Sequence, residues 1–142
     1  MISTRRCVVP SLAALILAVV GFGPPAPQGK VHRVEIRGDR ARGRFRFEPA
    51  DLEARPGDVV RFVAVSGAPH SVVFDSAGLG RHERELLDGA MPDRMSLLSG
   101  PLLTEDGQVY EITIPRLAPG SYRFYCLPHR AYRAEGTLRV VE

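Results

Sequence analysis

From Val31 onward, apolar and polar residues alternate with a period of two, and turn residues interrupt the alternation at short intervals. This pattern is typical of strands that bury one face. The turns Pro56-Gly57-Asp58 and Ala118-Pro119-Gly120 fit between such strands because Pro presets φ and Gly tolerates a positive φ. The predicted strands are Val31 to Arg37, Gly43 to Phe47, Val59 to Val65, Ser71 to Phe74, Val109 to Ile114, Gly120 to Tyr125 and Gly136 to Val141. About seven strands in about 110 residues predict an all-β fold, an antiparallel two-sheet Greek-key β-sandwich.

One long segment, Asp75 to Gln108, has no strand pattern. Within it, Arg81 to Leu87 is rich in helix formers and places Arg81 and Glu85 four residues apart, which predicts a short helix. Long loops in small domains more often serve a function than not. This loop could cover a functional site or a partner surface.

The first 23 residues have the pattern of a secretory signal peptide. Arg5 and Arg6 precede an apolar run of about 14 residues, which is shorter than the roughly 20 that span a bilayer. We therefore predict a signal peptide over residues 1–23, a Pro-rich linker over 24–30 and one domain over 31–142. The predicted location is periplasmic or otherwise extracytoplasmic, and the chain would associate with a membrane only if the signal remained uncleaved.

The charge balance argues against a nucleic-acid partner. The chain has 19 Lys and Arg residues and 16 Asp and Glu residues, and removal of Arg5 and Arg6 leaves 17 against 16. A nucleic-acid binder needs a strongly basic face to neutralise phosphates. Arg40, Arg42, Arg44 and Arg46 alternate in sequence. We interpret them as a solvated strand face, with a positive docking stripe as the alternative.

Two short motifs carry the candidate chemistry: Pro69-His70 before an apolar strand, and Tyr125-Cys126-Leu127-Pro128-His129 near the C-terminus. Cleavage of the signal would remove Cys7 and leave Cys126 as a lone thiol, which favours a metal ligand or a nucleophile. A thiolate and two imidazoles form a trigonal set that suits copper in an electron-transfer site. Cys126 ends a predicted strand, and Tyr122, Phe124 and Cys126 lie on the inward face of that strand.

From Val31 to Glu142 the chain resembles plastocyanin-like cupredoxins, the small blue copper proteins. The resemblance rests on Arg55-Pro56-Gly57-Asp58, Pro69-His70 and the Tyr125–His129 motif, in that order. It implies one type 1 copper bound by His70, Cys126 and His129, with His129 as the ligand through which electrons leave. It also implies a monomeric carrier of single electrons between redox protein partners, not an enzyme.

The sequence departs from the family at the axial ligand. The family places a Met five residues after the loop histidine, and this chain has Ala134 there. The site could be three-coordinate, admit water, or recruit Glu135 or a backbone carbonyl. Met91 and Met95, on the long loop, are weaker candidates. We expect a retained copper site with an altered potential, because the axial ligand tunes the potential.

Other interpretations of the same residues fit less well. A cysteine hydrolase needs a base and an orienting group around an accessible nucleophile, whereas Cys126 follows an aromatic-rich strand and precedes Leu127-Pro128, with no evident oxyanion-hole motif. A structural zinc site prefers four protein ligands, and only three are evident. His32 and His82 are expected on the solvated surface. The alternatives that remain are a copper carrier or storage domain and a cupredoxin-fold interaction domain without redox function.

Overall fold

The computed structural model describes residues 29–142; the predicted signal peptide and residues 24–28 lie outside the described residues. Eight strands form two four-stranded sheets, ordered β2-β1-β4-β6 and β3-β8-β7-β5. The strands are β1 Val31–Asp39, β2 Arg44–Glu48, β3 Asp51–Ala54, β4 Val59–Ser66, β5 Val73–Phe74, β6 Val109–Thr113, β7 Gly120–Tyr125 and β8 Glu135–Val140. One helix, α1 Arg81–Ala90, and a 3₁₀ segment, Leu127–Tyr132, complete the fold.

The β-sandwich prediction is confirmed, but the sheets are mixed and not purely antiparallel. β1 runs parallel to β4 and β3 runs parallel to β8, whereas the other pairs are antiparallel. Alternation identifies the buried face of a strand and carries no information about which strand lies beside it. The sequence prediction also missed β3, a short edge strand whose Asp51 and Glu53 point to solvent.

Four phenylalanine rings join the two sheets. Phe124 of β7 lies at the centre, with ring centroids 4.9 Å from Phe47, 5.4 Å from Phe62 and 5.8 Å from Phe74, all in edge-on arrangements. Such pairs stabilise a core by about 0.5–1.5 kcal/mol each beyond the area they bury. Gly136 of β8 leaves room for the central ring, because a Cβ there would lie 2.4 Å from Phe124 Cζ.

The 75–108 loop packs against β5 and against the segment before it, which contains His70. Its helix α1 extends three residues beyond the predicted Arg81 to Leu87, and Leu87, Met91 and Leu98 are buried in the core. The returning chain hydrogen-bonds to the β5 edge, where Phe74 donates its N–H to the Leu98 carbonyl over 2.9 Å. Among residues 29–142, no helix is long and apolar enough to cross a bilayer.

A buried carboxylate holds the start of β1 against the turn before β4. Asp58 accepts hydrogen bonds from the N–H groups of Lys30 and Arg55 and lies 2.8 Å from His32 Nε2. The expectation that His32 is a solvated surface residue is therefore wrong, since β1 places it beside Asp58; His82 on α1 is exposed as expected. Burial raises the pKa of Asp58, but the hydrogen bonds from Arg55, His32 and Lys30 outweigh it and lower the pKa below its usual value.

We expect Asp58→Asn to lower the free energy of unfolding at pH 7 by about 1–3 kcal/mol, because an amide cannot accept all three hydrogen bonds. A carboxylate with a depressed native pKa stabilises the fold above its unfolded pKa of about 3.9 and loses that contribution as pH falls through the native value. Urea unfolding of the metal-free protein should therefore show a smaller difference in the free energy of unfolding between wild type and Asp58→Asn at pH 3 than at pH 7. Asp51→Asn, at an exposed site on β3, is the control; an equal loss in both variants would contradict the prediction.

Candidate metal centre

His70, Cys126 and His129 come together at one end of the sandwich. All three are buried, and their donor atoms lie within 4.8 Å of one another. Cys126 Sγ is 3.7 Å from His70 Nδ1 and 3.4 Å from His129 Nδ1. Residues far apart in the sequence thus present two imidazole nitrogens and one sulfur to a common point.

The backbone around Cys126 and His129 forms a closed turn. Cys126 continues the inward alternation of Tyr122 and Phe124 on β7, as predicted. The Cys126 N–H donates to the Ala134 carbonyl over 2.9 Å, and the His129 N–H donates to the Cys126 carbonyl over 3.1 Å. Pro128 lies in the first turn of the 3₁₀ segment, where its missing N–H costs nothing. These bonds return His129 to the same pocket as Cys126.

His70 is anchored on both its backbone and its ring. The backbone exchanges two hydrogen bonds of 2.8 Å with Leu103 of the long loop. On the ring, Nε2 lies 2.8 Å from the Ser66 carbonyl. A carbonyl only accepts, so we assign the ring proton to Nε2, which leaves the Nδ1 lone pair facing Cys126.

Aromatic stacking fixes the ring of His129. Phe45 of β2 lies parallel to it, with centroids 3.6 Å apart and an interplanar angle of 10°, and Tyr132 packs on Phe45 at 4.9 Å. Burial, together with His70 and the charge of Arg40, lowers the pKa of His129 to about 4. Burial also lowers the pKa of His70. Both imidazoles are therefore neutral at pH 7, the state in which a histidine binds a metal.

Ser71 supports the thiol and links the two ligand-bearing segments. Burial raises the pKa of Cys126, and hydrogen bonds from the backbone and side chain of Ser71 and from the His129 backbone oppose it in part. The Ser71 hydroxyl oxygen also accepts the Leu127 N–H over 3.0 Å. In the metal-free pocket the thiol keeps its proton, and a bound cation would replace that proton.

The donor set fits copper. Two neutral imidazoles and one thiolate in a dry, trigonal arrangement are typical of copper electron-transfer sites, whereas a closed structural zinc site needs a fourth protein ligand. Within residues 29–142 no other group of His, Cys, Asp or Glu side chains forms such a cluster. These observations define the chain as a small copper-binding β-sandwich protein, a cupredoxin.

Comparisons with known proteins agree. The family model for copper binding proteins of the plastocyanin/azurin family matches residues 33–141. Plastocyanin of Nostoc punctiforme is 34% identical over 133 residues, covering 92% of this chain and 91% of its own, and chloroplastic plastocyanin of Pisum sativum is 31% identical, covering 97% and 77%. The oxidized plastocyanin structure from Dryopteris crassirhizoma superposes with a TM-score of 0.60 at 33% identity, over 78% of this chain and all of that one.

This chain belongs to the plastocyanin/azurin family of copper proteins. Its cofactor is copper, and its general class is that of the blue copper electron carriers. The cupredoxin resemblance inferred from the His and Cys motifs is thereby confirmed.

The structure narrows the candidates for an axial ligand. Ala134 is fully buried, and β8 turns Glu135 to the opposite, outer face, where its carboxylate lies 3.6 Å from Arg123. The hypothesis that Glu135 enters the site is therefore wrong. Of the two methionines on the loop, Met91 is packed in the core and Met95 is exposed.

The sequence analysis did not identify three residues that support the site, namely Phe45, Ser71 and Leu103. Phe45 was recognisable only as a buried strand residue, and Ser71 only as the neighbour of His70. Leu103 lies in the segment without strand pattern. Each of the three supports the site through a contact with a residue that is distant in sequence, so no local sequence pattern indicates this role.

Ser71→Ala should destabilise the metal-free protein by about 1–3 kcal/mol, because it leaves the Leu127 N–H without its partner. Ser99→Ala is a matched control, since Ser99 is also buried but its hydroxyl makes only one weak bond, of 3.5 Å, to the Gly100 carbonyl. We expect a clearly larger shift of the urea midpoint for Ser71→Ala. Equal shifts in the two variants would show that the serine bond does not hold the segments together.

Proposed function

We propose that this chain carries single electrons between redox proteins outside the cytoplasm, through one type 1 copper bound by His70, Cys126 and His129. The observation that carries this proposal is the convergence of two Nδ1 atoms and one Sγ in a buried pocket. Copper bound by these residues would provide the one-electron Cu(I)/Cu(II) couple that holds the electron between the donor and the acceptor protein. A monomer that performs no catalysis is sufficient for this task.

The protein's own residues supply rigidity. Ser66 and Leu103 hold His70, Phe45 holds the ring of His129, and the bond to Ala134 holds the Cys126 backbone. Ligands that cannot move with the change in charge keep the reorganisation energy small. His129 is 7% exposed, and Leu127 and Tyr132 of the same 3₁₀ segment are exposed, so the His129 ring is the proposed exit for the electron.

Two observations support a location outside the cytoplasm. The signal-peptide pattern of residues 1–23 precedes the domain. In addition, the only cysteine within residues 29–142 is a buried free thiol, which a metal ligand role would protect from oxidation. The competing functions, a copper carrier or store and an interaction domain without redox function, use the same fold and differ in their copper chemistry.

Addition of Cu(II) to the protein purified after export should produce an intense thiolate-to-copper absorption band and narrow copper hyperfine splitting. One copper per chain and reversible one-electron voltammetry should accompany the band. Cys126→Ser should abolish the band, since a hydroxyl cannot replace the thiolate as charge donor.

The competing functions predict different results from the same preparation. Copper uptake without reversible voltammetry would favour a carrier or store. Absence of copper uptake would favour an interaction domain without redox function. Retention of the thiolate-to-copper band in Cys126→Ser would contradict the proposed ligand set. The mass of the exported chain tests the predicted cleavage of residues 1–23.

The axial position should set the reduction potential. With Glu135 on the outer face, we propose that the protein provides three donors, so that Ala134→Met adds a thioether and lowers the potential by favouring Cu(II). Ala134→Leu is the control, because Leu has nearly the volume of Met and no sulfur. Voltammetry should give a lower potential for the Met variant than for the Leu variant; equal values would show that no axial bond forms.

A further inference from the structure

Arginines surround the surface above His129. The exposed residues of this region, which we name the metal-end surface, come from the turn between β1 and β2, the first residue of β2, the 3₁₀ segment and the residue after it: Arg40, Arg42, Arg44, Leu127, Arg130, Tyr132 and Arg133. Leu127 and Tyr132 are 57% and 53% exposed and form the apolar part of the surface. Exposed tyrosine and arginine beside an apolar side chain is a composition enriched at protein interfaces.

The turn and the 3₁₀ segment are packed against each other. A Cβ at Gly43 would lie 3.2 Å from Tyr132 Cε1, and Phe45 touches both His129 and Tyr132. Arg40 is close enough for its charge to act on both imidazoles. On the other side, the Arg130 guanidinium lies 4.2 Å above the Tyr125 ring. The positive charges thus lie at the 3₁₀ segment that carries His129 and at the β1–β2 turn packed against it.

Few carboxylates neutralise this surface. Asp39 pairs with Arg42 over 2.7 Å, and Asp106 lines a shallow depression beside Arg40. Within residues 29–142, Arg40, Arg44, Arg130 and Arg133 have no carboxylate at ion-pair distance. Arg46, by contrast, pairs with Glu48. The alternating arginines are therefore not one strand stripe; Arg40 and Arg42 lie in the turn.

We propose that the metal-end surface docks a redox partner protein through an acidic patch beside the partner's redox centre. Leu127 and Tyr132 contact the partner over His129, and the surrounding arginines face its carboxylates. This inference rests on the proposed electron-carrier function. Residues 29–142 contain 17 Lys and Arg residues against 16 Asp and Glu residues, so their net charge steers a partner little. The local charge of this surface therefore sets the encounter rate and orientation. A partner bound here approaches the ring through which the electron leaves.

Two charge-reversed proteins with the same net charge test the proposal. Arg40→Glu with Arg130→Glu changes the metal-end surface, and Arg55→Glu with Arg116→Glu is the control. Arg55 and Arg116 are exposed in turns at the opposite end of the sandwich and also lack an ion-pair partner among residues 29–142. Arg40→Glu with Arg44→Glu leaves the 3₁₀ segment unchanged and replaces the first variant if urea unfolding shows that it is destabilised.

The first measurement needs no copper. Amide NMR of the metal-free protein with decaglutamate at low salt should show shifts concentrated in residues 39–44 and 127–133. These shifts should weaken strongly near 1 M salt, where the screening length is about 3 Å. The metal-end variant should lose them and the control variant keep them. Equal responses in the two variants, or shifts elsewhere, overturn the proposal, as does a response to anionic phosphatidylglycerol vesicles without one to decaglutamate.

The second measurement uses the Cu(I) protein and small oxidants of opposite charge. One electron passes to hexacyanoferrate(III), which becomes hexacyanoferrate(II), or to the cationic tris(phenanthroline)cobalt(III), which becomes its cobalt(II) form. The ratio of the anionic to the cationic rate should fall about tenfold or more in the metal-end variant and change little in the control. An unchanged ratio overturns the docking surface. Absence of any electron transfer contradicts the proposed function, while the NMR result still decides whether the surface binds an acidic partner.

Discussion

Burial of three polar donors with their lone pairs facing one another is the constraint on which the rest of this structure depends. One dry pocket contains Nδ1 of His70, Nδ1 of His129 and Sγ of Cys126. The second ring nitrogen of His70, Nε2, points away from this pocket and bonds to the Ser66 carbonyl. The single thiol proton of Cys126 can be donated to only one of the two Nδ1 atoms, so the other is a buried acceptor without a donor, at a cost of roughly 1–3 kcal/mol that a bound cation would remove. The sandwich must therefore be stable enough to hold the donors in place before metal binds.

The support for that pocket comes from both sheets and from the long loop. Phe45 on β2 belongs to the first sheet, Cys126 follows β7 of the second, and Leu103 lies on the loop that borders β5. The cluster around Phe124 ties the two sheets together directly below the pocket, on the same inward face as Cys126. The 75–108 loop is accordingly part of the metal-site framework, because its backbone at Leu103 pairs with the backbone of His70.

The sequence predicted those features that are determined by residues close together in the chain. Cys126 and His129 are three residues apart on one turn, so their proximity follows from the motif. Period-two alternation correctly placed Tyr122 and Phe124 inside. Contacts that depend on strand register were not predictable. The Phe45–His129 stack, the Ser71–Leu127 bond and the His32–Asp58 pair each join residues at least 26 positions apart. The parallel pairing of β1 with β4 and of β3 with β8 belongs to the same category, since alternation is identical for parallel and antiparallel neighbours.

With Ala134 at the axial position, the geometry of the metal site depends less on metal bonds and more on protein packing around the donors. A thioether at that position would add a fourth bond that helps to hold the metal, whereas a buried methyl group adds none. The geometry then depends more heavily on the supports of the three remaining donors: the Ser66 carbonyl, the stack of Phe45 and the turn closed by Cys126 and Ala134. Two of these supports, Phe45 and the closed turn, also carry the metal-end surface, because Tyr132 packs on Phe45 and because Arg130 and Arg133 lie within the turn that Cys126 and Ala134 close. Ligand rigidity and partner recognition in this chain consequently rest on the same few contacts, and a substitution that loosens Phe45 would disturb both.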